Sequence, residues 1–159
     1  MAFNTRTMFH PDEHQQSVEI AYDLVYGGGN LTWEWDPDYA LRPILHPLIY
    51  AVVFKILKLL CIDFTTLIIY CPNLMHALLW FVSERYLYEV IKIVYTKKVA
   101  TLTILVHTVS WFPCVLMART FSNTIEASLL PVGVYLWLKI SGSDKTIIDK
   151  NAIFLTVVI

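Results

Sequence analysis

FTTLIIYCPNLMHALLWFV, residues 64–82, contains no Asp, Glu, Lys or Arg. A helix of that length covers about 28 Å, close to the hydrocarbon thickness of a bilayer. The stretch therefore reads as a transmembrane helix. It continues through SERYLYEVIK to Lys92 as a cytosolic extension, giving one element over 64–92. Composition agrees: 57% of the 159 residues are hydrophobic and only 16% are charged, where soluble domains run nearer to about a quarter charged. A net charge of −1 gives no electrostatic reason to bind nucleic acid. Cys61, Cys71 and Cys114 form an odd set in apolar surroundings without CxxC spacing, which suggests neither a disulfide framework nor a zinc site.

Working outward, 99–118 is a second uncharged span with Pro113 as a kink, and 125–140 is a short third span holding Glu126 and Pro131. A turn over 119–124 joins them. On the other side, 43–62 is apolar but carries His46, Lys55 and Lys58, a pattern that fits an interfacial or re-entrant helix better than a simple span. The first 17 residues are polar and offer no signal-peptide core. Residues 151–159 begin an apolar segment that stops after about two turns, too short to cross. The expectation is a fragment of a longer chain. The fold class that follows is an all-α, multi-spanning membrane protein. Lys92, Lys97 and Lys98 crowd one loop, and Lys139, Lys145 and Lys150 follow the third span. By the positive-inside rule both loops are cytosolic, so 1–62 and the turn around Arg119 face the other side, luminal or extracellular. Asn30-Leu31-Thr32 is a glycosylation sequon on that side.

The luminal face carries three polar clusters. FHPDEHQQS, residues 9–17, opens a helix over 11–26, with Val18, Ala21, Tyr22 and Val25 at helical spacing and Gly27-Gly28-Gly29 as the stop. Asp12 and Glu13 fit the acidic first turn that a helix dipole favours. H-x-x-E-H also matches an inverted zinc-protease motif. Pro11 speaks against it, because a proline at the first helical position leaves His10 in cap geometry, and no third ligand is evident. The second cluster is a loop within 1–42, where Trp33, Glu34, Trp35, Asp36 and Asp38 combine aromatic faces with carboxylates. Sugar stacking and interfacial anchoring of tryptophan both fit it. The third is ARTFSNTIE, residues 118–126. Arg119, directly after an apolar span, is a functional-site candidate. A lipid phosphate on its planar fork and an Arg119–Glu126 ion pair are the two readings.

Taken together, HPDEHQQSVEIAYDLVYGGGNLTWEWDPDYALRPILHPLIYAVVFKIL and ARTFSNTIE resemble the family 22 glycosyltransferases of the endoplasmic reticulum, from about Met8 to Leu138. Within that family, LTWEW after the PDE-bearing helix looks most like the members that add an α1,2-mannose to the GPI anchor. The resemblance implies a GT-C fold in the endoplasmic reticulum membrane with a helical, acidic first luminal loop. It implies dolichyl-phosphate mannose as donor and the GPI-precursor glycolipid as acceptor of a third mannose, with no cofactor and no metal ligands assigned. By residue it implies Asp12 and Glu13 as the acidic pair, with Asp12 as base, and Arg119, Thr120 and Asn123 at the donor phosphate. Trp33, Glu34 and Trp35 are candidate sugar contacts. A non-catalytic truncated scaffold, or another family 22 mannosyltransferase, is the alternative.

Overall fold

The computed structural model describes residues 12–36, 38 and 41–140, with the backbone alone at Asp12, Phe112 and Cys114. His10, Pro11, Lys145, Lys150 and the apolar segment over 151–159 lie outside the described residues. Every regular element among the described residues is helical: α1 (Asp12–Gln15), α2 (Val18–Tyr26), a 3₁₀ turn (Trp33–Trp35), α3 (Leu45–Leu59), α4 (Thr65–Val94), α5 (Lys97–Val109), α6 (Trp111–Leu116) and α7 (Ser122–Ile140).

Two of these elements differ from the continuous helices expected from sequence. The helix expected over 11–26 breaks at Gln16–Ser17, where Ser17 takes a non-helical φ of −148°. The span expected over 99–118 breaks at Ser110, and α5 alone is 13 residues long. Pro113 explains the second break. Its ring would clash with the carbonyl four residues back, that of Val109, and it supplies no N–H to that carbonyl. The helix therefore ends at Val109, one turn before the proline rather than at it.

α2 packs on α3 through Ala21, Tyr50, Ala51, Phe54 and Leu57, with Val18, Tyr22 and Val25 against them. Tyr50 and Phe54 are fully buried, and each such side chain contributes about 1.5–3 kcal/mol. Lys58 donates to the Val25 carbonyl at 2.7 Å, so its charge closes the C-terminal end of α2. Lys55 remains exposed. The opposite face of α3 presents Leu45, Leu48, Val52, Ile56 and Leu59 outward.

α4 packs against α7 and α5 and touches α3. At 30 residues it is the one helix among those described that is long and apolar enough to cross a membrane. Its polarity is inverted relative to a soluble core helix. Asn73, His76 and Ser83 are buried, while Leu67, Ile69, Leu74, Leu78 and Phe81 are exposed. A helix surrounded by acyl chains has no hydrophobic incentive to turn leucines inward, and His76 finds its partners on α3 and α7. Beyond the apolar stretch, Glu89 pairs with Arg85 and Lys92.

Candidate functional site

The acidic helix is docked on the Arg-Thr turn. Glu13 is 1% exposed, and its Oε2 lies 2.8 Å from Nη1 of Arg119. The Thr120 hydroxyl donates to the Glu13 carbonyl at 2.6 Å, and the Ser17 hydroxyl donates to the Thr120 carbonyl at 3.4 Å. These links join positions 13 and 17 to 119 and 120. Of the two readings of Arg119 from sequence, the ion pair with Glu126 is replaced by one with Glu13. Its guanidinium meets Glu13, whereas Glu126 stays exposed and makes no ion pair among the described residues.

The motif residues therefore separate. Glu13, Arg119 and Thr120 form one buried junction, and Asp12 adjoins it along the backbone of α1, its side chain lying outside the described residues. Asn123 is exposed on the first turn of α7, where its Oδ1 faces the Ser122 hydroxyl at 3.4 Å. The glutamate of H-x-x-E-H is committed to Arg119, not turned towards a metal. Among the described residues no three His, Cys, Asp or Glu side chains converge to hold a metal ion.

The aromatic loop also divides. Glu34 accepts from Arg42 Nε at 2.7 Å and from Nη2 at 3.3 Å, a two-pronged contact that ties the 3₁₀ turn to the entry of α3. Glu34, a candidate sugar contact from sequence, thus also holds the loop. Trp33 is 63% exposed. Trp35 instead lines a cleft of about 160 Å³ together with Gln16, Arg42, His46, Ser122 and Glu126. All three polar clusters of the sequence contribute to it: Gln16 from the acidic stretch, Trp35 from the loop and Ser122 with Glu126 from the Arg-Thr segment. The indole N–H of Trp35 is buried without an acceptor.

Behind the cleft runs a chain of side chains that spacing along the sequence did not reveal. His46 Nε2 is 2.9 Å from the Tyr50 hydroxyl, which contacts His76 Nε2. His76 Nδ1 is 2.8 Å from the Thr124 hydroxyl. Thr124 in turn reaches the Arg119 carbonyl at 3.0 Å and the Phe121 carbonyl at 2.6 Å. The chain links α3, α4 and α7 to the backbone of the Arg119 turn. Burial pushes the Tyr50 phenol up. The one signal in the sequence was the presence of His46 and His76 within apolar segments, where polar groups demand partners.

Comparison with known proteins places the chain in a family. The model of the Alg9-like mannosyltransferase family matches residues 1–159. The chain is 36% identical over 139 residues to mannosyltransferase APTG1 of Arabidopsis thaliana, covering 87% of this chain and 25% of that protein. It is 38% identical over 135 residues to GPI alpha-1,2-mannosyltransferase 3 of Mus musculus, covering 85% and 24%. The human protein of the same name is 37% identical, with 85% and 24% covered. The chain thus spans about a quarter of the length of these relatives. No solved structure matches. The match over the whole chain means that it belongs to the Alg9-like mannosyltransferase family.

Proposed function

We propose that this chain forms the acidic-loop portion of a GPI α1,2-mannosyltransferase, a multi-spanning enzyme of the endoplasmic reticulum. It adds the third mannose to the GPI-precursor glycolipid, with dolichyl-phosphate mannose as donor. The observation that carries the reading is the buried Glu13–Arg119 contact at 2.8 Å. It holds the turn bearing Asp12 still, near a cleft lined by Gln16, Trp35 and Glu126. The relatives named for this activity in mouse and human support the substrate class.

Transfer from a β-linked phosphate donor to an α product inverts the anomeric carbon, so one carboxylate base suffices. Asp12 takes the proton of the acceptor hydroxyl as that oxygen attacks the anomeric carbon. The bond to the phosphate oxygen breaks, and the phosphate leaves as an anion without needing a second acid. Arg119 acts chiefly by positioning. Its Nη1 is engaged by Glu13, so it fixes the acidic turn, while Asn123 on the exposed start of α7 is the residue of the Arg-Thr-Asn trio left facing outward.

The test is complementation of cells that lack the third GPI mannosyltransferase by the full-length gene product. Restored surface GPI proteins with the wild type, and none with Asp12→Asn at equal protein level, is the expected result. Failure of the wild type to add mannose to the two-mannose precursor would overturn the reading.

A further inference from the structure

The hydrogens of the buried chain can be placed by one argument. The Thr124 hydroxyl has a single proton and sits 2.6 Å from the Phe121 carbonyl and 3.0 Å from the Arg119 carbonyl. Carbonyl oxygens only accept, so that proton points at them. His76 Nδ1, at 2.8 Å from the same hydroxyl, must then carry its own hydrogen and donate. His76 is 1% exposed, and desolvation favours the neutral ring, which leaves its Nε2 as an acceptor. The Tyr50 hydroxyl therefore donates to His76, and its oxygen accepts from His46 Nε2–H at 2.9 Å. One proton at Thr124 thus sets the state of three groups. It ends by leaving Nδ1 of His46 as a bare acceptor, with no hydrogen-bond partner among the described residues. Burial holds the His46 imidazole below its ordinary range, so the ring is neutral at neutral pH.

His46 lines the cleft opposite groups of mixed hydrogen-bonding character. Glu126 accepts, Ser122 and Gln16 both donate and accept, and Trp35 supplies an aromatic surface. The volume of about 160 Å³ is below the roughly 300–1,000 Å³ of drug-sized sites, a scale suited to one sugar ring. A fixed lone pair, a carboxylate and an indole around a small cleft are what an uncharged polyol requires. Arg42 also lines the cleft, but its guanidinium is engaged by Glu34, so an anion would face the carboxylate of Glu126, unpaired among the described residues.

We infer that this cleft is a subsite for one sugar ring of the acceptor glycan, where His46 Nδ1 accepts a hydrogen bond from a sugar hydroxyl and Glu126 accepts another. The inference rests on the mannosyl-transfer reading. His46 is a binding residue, and Tyr50, His76 and Thr124 are positioning residues that fix its tautomer.

The experiment uses the full-length gene product in proteoliposomes, with dolichyl-phosphate mannose and a GPI-precursor glycolipid ending in its second mannose. His46→Gln keeps an N–H near the place of Nε2 and removes the acceptor at Nδ1. Its acceptor KM should rise about ten-fold, the value of one hydrogen bond, while kcat and donor KM stay within about two-fold. His46→Asn returns an oxygen near the Nδ1 position and should recover much of the loss. Glu126→Ala, at an exposed site with no folding burden, should raise acceptor KM as well. Retention of the same glycolipid by immobilised protein without donor gives a second readout, high for wild type and reduced for His46→Gln. Unchanged acceptor KM and retention in His46→Gln and Glu126→Ala would overturn the subsite while leaving mannose transfer intact. Equal losses of kcat in His46→Gln and His46→Asn would make the histidine purely structural and overturn it too. A wild type that retains the glycolipid but transfers no mannose would instead sink the transferase reading.

Discussion

Replacing Glu13 by Gln tests the junction on which the proposed site depends. The substitution keeps size and hydrogen-bonding shape but removes the charge opposite Arg119. The Glu13 and Arg119 side chains are 1% and 8% exposed, and the contact is 2.8 Å. Removing one partner of a buried ion pair costs about 3–5 kcal/mol, because the remaining charge keeps its desolvation penalty without the matching attraction. At about 1.4 kcal/mol per decade, the docked state of α1 loses roughly two to three and a half orders of magnitude in population. The Thr120–Glu13 backbone link at 2.6 Å survives the change and cannot compensate, since a neutral hydrogen bond contributes only about 1 kcal/mol. Limited proteolysis of the full-length gene product in membranes would read this as new cleavage between α1 and α2, around Gln16–Ser17. Glu13→Leu with Arg119→Met removes both charges together and should restore much of the protection. The reasoning is refuted if Glu13→Gln digests like wild type, or if the double variant is as sensitive as the sum of the singles.

Other outcomes follow from individual contacts. Asp12→Asn should abolish mannose transfer while leaving the protease pattern of the Glu13–Arg119 junction unchanged, measured side by side in one membrane preparation. Gly29→Ala should destabilise the loop start by about 1–3 kcal/mol. Its Cβ would meet the Asp23 Cβ at 2.7 Å and the Glu19 carbonyl at 3.0 Å, and a thermal melt would show the loss. Arg42→Ala should change thermal stability by no more than about 1 kcal/mol, because the pair with Glu34 is partly exposed. It should nevertheless lower acceptor affinity by releasing the turn that holds Trp35, and unchanged acceptor KM would contradict that. Thr124→Val removes the proton that orders the buried chain and should raise acceptor KM less than His46→Gln does, a ranking that steady-state kinetics decides.

Much of the helical layout was legible because periodicity is local. Val18, Ala21, Tyr22 and Val25 lie three and four positions apart and do pack against α3. The uncharged run from Phe64 to Val82 sits within α4. Pro113 announced trouble in the second apolar stretch, although its effect falls one turn upstream because the clash is with the preceding carbonyl. The relation between the acidic stretch, the WEW loop and the Arg-Thr turn was legible only as a shared side of the membrane.

What the chain alone determined, then, is which residues are helical, which faces are apolar, and which few polar groups are stranded among them. Tertiary structure decided the partners. Arg119 has Glu126 seven positions away on an exposed helix face, yet it pairs with Glu13 across 106 positions. A buried guanidinium is best matched by a carboxylate desolvated with it, and spacing along a sequence carries no information about which carboxylate that is. The same holds for His46, Tyr50, His76 and Thr124. Each looks like an isolated polar residue in a greasy helix until three helices are packed together. Only then does the single proton of one threonine determine what a histidine three groups away offers to the cleft.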